Sequence, residues 1–470
     1  MLLAGQKKEG LFMKVGIIGG GIAGLSAAFW LSRVEGVSVT LFEKDERLGG
    51  CIGTATENGF TIEAGPNGFL DSKPHTVQLF QDAGLGDRLL RSNDAARKRF
   101  IMRYGRIIRV PEKAGAFFKT DLVTLKGKIR LMGELFVPQK KDEKDETVQE
   151  FAIRRLGQEA ADFMIAPMVS GVFAGDAAKL SLKSAFPVIC ELESKYGGLF
   201  KGMLKKPKKK SGPAGPGGAL TSYIGGLMQG INDLEEKCSG VEIIKGCAVD
   251  EVHKGENGFR LVTSQGEYYF DSVVSAAPAY EAAKFLKTLD KELADIMDSI
   301  PYSPAFVAGL GFNEEDVEND LDGFGYLIPK LENKKILGAL FTSSIFPSRR
   351  PKDKKLVRVI MGGDTDQGRS LMSKSDEELV DIAFNEIKDT LGIKAKPVHH
   401  KHFRWDKAIP QYYPGHSEKV KSVEEICGRI GGIYVGGNVL CGIALNDCTR
   451  RSLEITESIT RSLEKKGQAS

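Results

Sequence analysis

The sequence predicts a mixed α/β fold in which a parallel sheet and its helices are assembled from both ends of the chain, with a second sheet and a helical insertion between them. Three observations predict it. A strand, helix and strand punctuated by glycines occupy residues 14–50, a second strand–glycine–helix passage begins near residue 433, and the middle shifts from helical periodicity (112–205) to short alternating strands (241–400).

The first passage reads KVGIIGGGIAGLSAAFWLSRVEGVSVTLFEKDERLGG. An apolar strand over 15–18 runs into Gly19-x-Gly21-x-x-Gly24, and small and apolar residues carry a helix from Ile22 to about residue 32. Gly19 permits a tight turn, Gly21 lets backbone approach a pyrophosphate, and Gly24 lets the helix lie against the strand. The amides of Ile22 and Ala23 then stand at the positive end of a helix, facing phosphate. A second strand over 37–42 ends at Glu43, 19 residues past Gly24. Its carboxylate accepts both ribose hydroxyls of an adenine dinucleotide and repels a 2′-phosphate. The continuation Lys44-Asp45-Glu46-Arg47-Leu48-Gly49-Gly50 resembles the flavin-enzyme pattern, in which an arginine and two glycines extend the phosphate cradle. It favours FAD, bound non-covalently, over NAD. Residues 15–32 carry no charge, yet their glycines make a poor lipid-spanning helix, and no cationic flank with a small-residue cleavage site frames a signal peptide.

With 470 residues, two or three domains are expected, and 41% apolar content suffices to bury them. Basic residues (66) barely outnumber acidic ones (62), which leaves no general nucleic-acid signature. Seven cysteines without a CxxC pair argue for a reducing compartment and against a disulfide frame or zinc site. His400 and His402 are read as sharing a strand face without a nearby acidic or cysteine partner, so no metal site is expected.

Residues 58–69, NGFTIEAGPNGF, read as a strand ending in a rigid turn at Gly65-Pro66-Asn67, suited to lie against a planar ligand. A helix is expected over 71–90, and a hairpin follows in RFIMRYGRIIRV, turning at Tyr104-Gly105. The helical insertion carries apolar patches such as Phe117-Phe118 and Leu135-Phe136-Val137. It ends in residues 199–218, where six lysines and five glycines cannot pack a core. That segment has two readings, a solvated linker or a polybasic contact to anionic lipid. A helix is expected over 220–236, then strands over 241–246, 248–253, 259–264 and 267–270. Further strands are expected over 305–312, 325–329, 336–342 and 356–361, with a helix near 377–391. The strand over 433–435 leads into GGNVLCGIALNDC, and a helix starting near Asn446 aims a second set of amides at the pyrophosphate or the reduced ring. The expected division is therefore nucleotide-binding parts at 13–90, 219–275 and 401–470, a helical membrane-associated part at 91–210, and a substrate part at 276–400.

Taken in order, the GxGxxG, the GPNGF loop, MVSGVFAGD (168–176), LGALFTS (337–343), FRWDKAIPQYYPGH (403–416) and GNVLCGIALNDC (437–448) make the chain resemble the protoporphyrinogen oxidase family over residues 14–463. The resemblance implies a discontinuous Rossmann-like FAD domain, a sheet-based substrate domain and a helical domain on a membrane surface. It also implies six-electron oxidation of a porphyrinogen with oxygen, yielding hydrogen peroxide. Substrate contacts would fall on Arg99, Phe324, Gly325, Leu327, Leu340 and Ile360. Arg99 would pair with a propionate, although a solvated basic strand accounts for it too, and Leu340 and Ile360 also suit a sheet core. Gly325 is read as a close approach to ligand. Asn67 would sit beside the flavin in a catalytic role. The cradle would add Gly49, Gly50, Gly65, Pro66, Val249, Trp405, Gly437, Asn438, Gly442, Ile443 and Leu445 to the glycines, Ile22, Ala23, Glu43, Lys44 and Arg47 already named. Coproporphyrinogen relatives tend to carry an acidic residue where Asn67 stands, which favours protoporphyrinogen. The position of Cys441 often holds a different polar or basic residue. Further implications are a cytoplasmic location on the inner face of the cell membrane, hand-over of product to ferrochelatase, and a homodimer. Oxidation of coproporphyrinogen III, a flavin amine oxidase and a noncatalytic FAD scaffold are the competing readings.

Overall fold

The structure, a computed structural model, describes residues 12–112, 114–142, 144–205 and 218–469. Its organising sheet has five parallel strands in the order Val241–Ile244, Val37–Phe42, Met13–Ile18, Ser272–Ser275, Ile433–Val435. Both faces are covered, which is why these strands read as apolar runs rather than alternating ones. One face packs on Ile22–Leu31, Leu227–Glu236 and Leu445–Ala469. The other packs on Ala279–Leu286 and on the antiparallel strands Val249–Gly255, Gly258–Thr263 and Gly266–Phe270. Helix Ile22–Leu31 is buried along its whole length, wedged between the sheet and Leu445–Ala469.

A seven-stranded sheet follows the order His399–Pro410, Tyr302–Asn313, Lys354–Gly362, Ile336–Leu340, Gly325–Leu327, Arg99–Arg103, Arg106–Arg109. One face buries Phe306, Phe312, Tyr326, Val357 and Met361 with helix Asp376–Leu391. The hairpin Arg99–Arg109, placed with the helical insertion on sequence, completes the edge of this sheet through the pairing of Arg99 with Gly325. It turns as expected at Tyr104 and Gly105, both at positive φ.

The helix expected over 220–236 is divided. Leu220–Tyr223 is a strand between Phe69–Leu70 and Leu89–Arg91, and the helix begins only at Leu227. Gly225 and Gly226, at φ +82° and +98°, break the chain between them. The helix expected over 71–90 is likewise shorter, Pro74–Asp82.

The insertion comprises Ala114–Lys119, Leu125–Met132, Val148–Leu156, Ala166–Phe173, Pro187–Tyr196, Leu199–Lys205 and short connecting turns. It exposes Leu125 (74%), Phe136 (87%) and Leu204 (82%). Among the described residues no helix is long and apolar enough to cross a membrane. Residues 206–217, most of the lysine- and glycine-rich segment, lie outside the described residues. No cluster that could hold a metal occurs among the described residues. His402 does have an acidic neighbour, contrary to the sequence reading, because the start of helix Asp376–Leu391 brings Asp376 to 3.2 Å.

Candidate flavin and substrate site

The three glycines of the first motif stand in different surroundings. Gly19 has φ +106°, and a Cβ on Gly24 would stand 1.9 Å from the Gly19 carbonyl oxygen, so only glycine lets helix and strand approach this closely. A Cβ on Gly21 would meet nothing within 4 Å, so its outer side is open to a ligand. The Glu43 carboxylate, 7% exposed, accepts the Gly20 amide at 2.7 Å and the Asp45 amide at 3.0 Å. Each oxygen keeps a lone pair for a hydroxyl.

Arg47 donates to the carbonyls of Ile52 (2.8 Å), Gly50 (3.0 Å) and Leu48 (3.2 Å), and so shapes the loop carrying Gly49 and Gly50. The Gly49 amide donates to Gly20, and Gly50 lies against Gly21. Lys44 pairs with Glu281 at 3.0 Å, a hydrogen bond that raises its pKa. Val249 opens a strand just past Cys247, whose amide donates to the Glu43 carbonyl. At the C-terminal passage Gly437 and Gly442 have φ +78°. The Asn438 carbonyl accepts from Tyr412 at 2.5 Å, and Ile443 packs near Tyr412. Leu445 opens the long helix, whose Ser452 hydroxyl donates to Ala23 at 2.7 Å, fixing the two helices side by side. The Asp447 carboxylate accepts the Ala444 amide at 3.3 Å, taking up part of that helix end.

The loop Gly65-Pro66-Asn67 is gripped from the large sheet. Trp405 Nε1 donates to the Ala64 carbonyl at 2.9 Å, and Arg358 donates to the Gly65 carbonyl. A Cβ on Gly65 would lie 2.3 Å from the Cys51 carbonyl oxygen. Arg349 Nη1 donates to Asn67 Oδ1 at 3.0 Å, while its Nη2 reaches Glu63 and Ser222 at 2.6 Å each. Asn67 Nδ2 is buried without a hydrogen-bond partner among the described residues. Burial lowers the Arg349 pKa against the pull of Glu63, and pushes Arg358 down to about 10.

The register puts the substrate candidates on one face of the large sheet. Gly325 pairs with Arg99 and Leu340, Leu340 with Arg358, and Gly338 with Ile360, while Tyr326, Ala339 and Val359 turn to the opposite core. Leu327 reaches Gly171 of the insertion, since a Cβ there would meet its side chain at 2.6 Å. The Arg99 guanidinium lies 5.8 Å from the Phe324 ring centre and makes no hydrogen bond or ion pair among the described residues. Arg99 is exposed overall, and partial desolvation by the surrounding protein lowers its pKa, with Glu112 acting in the opposite direction. Gly325 has a different cause from the one read in the sequence. At φ +133°, a Cβ there would stand 2.1 Å from the Ala339 carbonyl, so strand pairing alone requires glycine.

Sequence reasoning missed Glu63, Ser222, Arg349 and Arg358. One signal was available: Arg358 interrupts the otherwise apolar run LVRVIM in the middle of the sheet, where an arginine needs a reason. These residues fit a flavin dinucleotide. Gly21 leaves room for a pyrophosphate, Glu43 offers acceptors to a ribose, and the Asn67 amide presents an unmet donor beside the loop.

The model of the family described as flavin containing amine oxidoreductase matches residues 22–450. The chain is 31% identical over 455 residues to a coproporphyrinogen III oxidase of Bacillus subtilis (strain 168), covering 92% of this chain and 94% of the relative. It is 32% identical over 479 residues to a chloroplastic protoporphyrinogen oxidase of Oryza sativa subsp. japonica, covering 96% and 88%. A solved structure from Exiguobacterium sp. 255-15, named provisionally as a protoporphyrinogen oxidase, superposes with a TM-score of 0.81 at 27% identity, covering 96% of this chain and 99% of that one. The chain belongs to the flavin-containing amine oxidoreductases and is an FAD-dependent oxidoreductase.

Proposed function

We propose that this enzyme oxidises protoporphyrinogen IX to protoporphyrin IX with non-covalently bound FAD and oxygen as the final acceptor. The observation that carries the reading is the sheet face itself. Leu327, Leu340 and Ile360 form an apolar surface for a flat macrocycle, and at its edge the Arg99 guanidinium makes no hydrogen bond or ion pair among the described residues. One guanidinium matches a propionate bidentately. A substrate with four propionates would call for more such cations.

FAD held there would supply a two-electron acceptor for a hydride from a meso carbon, with loss of a pyrrole N–H proton, and would pass the electrons to oxygen as hydrogen peroxide. Three rounds remove six hydrogens and consume three oxygen molecules. The chain's part is to hold the macrocycle edge against the 64–67 loop and to keep bulk water away. Arg358 and Trp405 tie that loop to the substrate face, so that the flavin side and the substrate side keep one spacing.

Coproporphyrinogen III oxidation is the second reading, favoured by the name of the Bacillus subtilis relative. Porphyrin fluorescence in air, with FAD-loaded protein offered each porphyrinogen separately, decides between them. Faster conversion of protoporphyrinogen IX is expected, and preference for coproporphyrinogen III overturns the first reading in favour of the second. Bleaching by amines with neither porphyrinogen oxidised would replace both with an amine oxidase. The exposed Leu125, Ile129, Phe136 and Leu204 further support attachment of the insertion to an anionic membrane surface at the inner face of the cell membrane. Flotation with anionic liposomes is the expected behaviour, and protein left wholly in the dense fraction would contradict it.

A further inference from the structure

An asparagine amide has one accepting end and one donating end, and a guanidinium can only donate. Arg349 Nη1, 3.0 Å from Asn67, therefore holds Oδ1 and turns Nδ2 the other way. Arg349 has little freedom to let go. Its Nη2 is held by Glu63 and Ser222 at 2.6 Å each, and Glu63 accepts in turn from the Thr54 hydroxyl (2.6 Å) and the Leu227 amide (2.9 Å). The clamp draws on the paired strands Thr54–Glu57 and Phe60–Glu63, on Leu220–Tyr223 and on the first residue of helix Leu227–Glu236. At its end sits a buried N–H donor, Asn67 Nδ2, with no acceptor among the described residues.

We infer that Arg349 is a positioning residue that holds the Asn67 amide as a hydrogen-bond donor to an acceptor atom of the isoalloxazine ring, a carbonyl oxygen or ring nitrogen that gains electron density on reduction. The inference rests on the placing of the flavin ring beside residues 65–67 and not on the identity of the substrate. A donor at such an atom binds the reduced ring more strongly than the oxidised one, so it raises the reduction potential of the bound flavin.

The test is equilibrium reduction of the FAD-loaded full chain against a dye of known potential, with the visible spectrum of the bound flavin recorded throughout. Asn67→Ala removes the donor and should lower the ratio of reduced to oxidised flavin about tenfold at a fixed potential, equivalent to about 30 mV for a two-electron couple. Asn67→Asp keeps the Arg349 pairing but replaces the donor by an acceptor, and should lower the ratio further. Arg349→Met should reproduce the Asn67→Ala shift in wild type and add nothing in an Asn67→Ala background, whereas Arg349→Lys should restore part of it. Where Arg349→Met fails to fold, the two Asn67 variants, which leave the Glu63–Arg349 pair in place, still decide. Unchanged potentials and spectra in both Asn67 variants would overturn the inference, as would an Arg349→Met shift as large without Asn67 as with it. Porphyrinogen turnover is a separate readout. A shifted potential in a protein that oxidises no porphyrinogen would remove the proposed substrate and leave the flavin contact standing.

Discussion

Behind the 64–67 loop and inside the helical insertion the chain buries the same two residue types against each other to the same depth: Arg349 and Glu63 are 2% and 1% exposed, Arg155 and Glu134 both 0%. In the insertion everything is met. Arg155 donates to Glu134, Glu193, Gly197 and the carbonyls of Val137 and Pro138, and Glu134 also accepts the amides of Leu199 and Phe200. Around the loop, Arg349 Nε, Arg358 Nε and Asn67 Nδ2 are all buried donors with no partner among the described residues. An unmet buried donor costs about 1–3 kcal/mol, so a fold gains nothing by keeping three of them close to one loop. The insertion cluster is a clasp between helices, whereas the loop cluster is short of acceptors, and a flavin ring with its carbonyls and nitrogens is a ligand rich in them.

The largest effect that sharpens this contrast is in the insertion. Glu134→Gln should cost about 3–5 kcal/mol by leaving the buried Arg155 to share Glu193 with Arg154. Urea unfolding should show the loss, and the potential and spectrum of bound flavin should not move. Arg358→Met should act with the opposite sign. Burial holds the guanidinium at about 10 against an ordinary 12.5, so an apolar side chain of similar length should raise stability by up to about 3 kcal/mol while FAD binding weakens. A loss like that of Glu134→Gln would make the two clusters the same kind of object. Arg99→Ala should raise KM about tenfold, ~1.4 kcal/mol, with flavin reduction at saturating substrate little changed. An unchanged KM would remove Arg99 from the substrate face.

The smallest expected effect is acidic. Burial alone would raise the pKa of Glu134 and Glu193, but hydrogen bonds from Arg155 to Glu134 and from Arg154 to Glu193, with backbone amides, hold both below the usual carboxylate value. Their stabilisation is therefore complete above the unfolded carboxylate pKa of about 4.3 and is lost as pH falls through the lower folded values. Hydrogen exchange at the Leu199 and Phe200 amides should accelerate below about pH 4 ahead of exchange in the parallel sheet. Simultaneous loss in both regions would contradict it.

The contrast also marks how far the sequence is legible. Positions governed by local backbone chemistry are readable from the chain alone. Gly19 and Gly24 carry constraints, and Gly21 an open side, that the GxGxxG spacing encodes, and the strands Val37–Phe42 and Ile433–Val435 lie where their apolar runs end in polar or glycine residues. Positions governed by distant partners are not. Arg349 meets Glu63 across 286 residues and Arg358 meets Gly65 across 293, and neither pairing leaves a local pattern. Arg99–Arg103 looks like the threshold of a helical segment because its partner, Gly325–Leu327, lies more than 200 residues later. Gly325 shows the converse, a glycine read as a close approach to ligand whose neighbouring strand demands glycine by itself.

The most direct test of the account is anaerobic mixing of the FAD-loaded protein with protoporphyrinogen IX, followed by admission of air. Bleaching of the oxidised-flavin band within turnover times, then its return with release of hydrogen peroxide and porphyrin fluorescence, is the predicted result. A flavin that stays oxidised with protoporphyrinogen IX but bleaches with coproporphyrinogen III or an amine would contradict it.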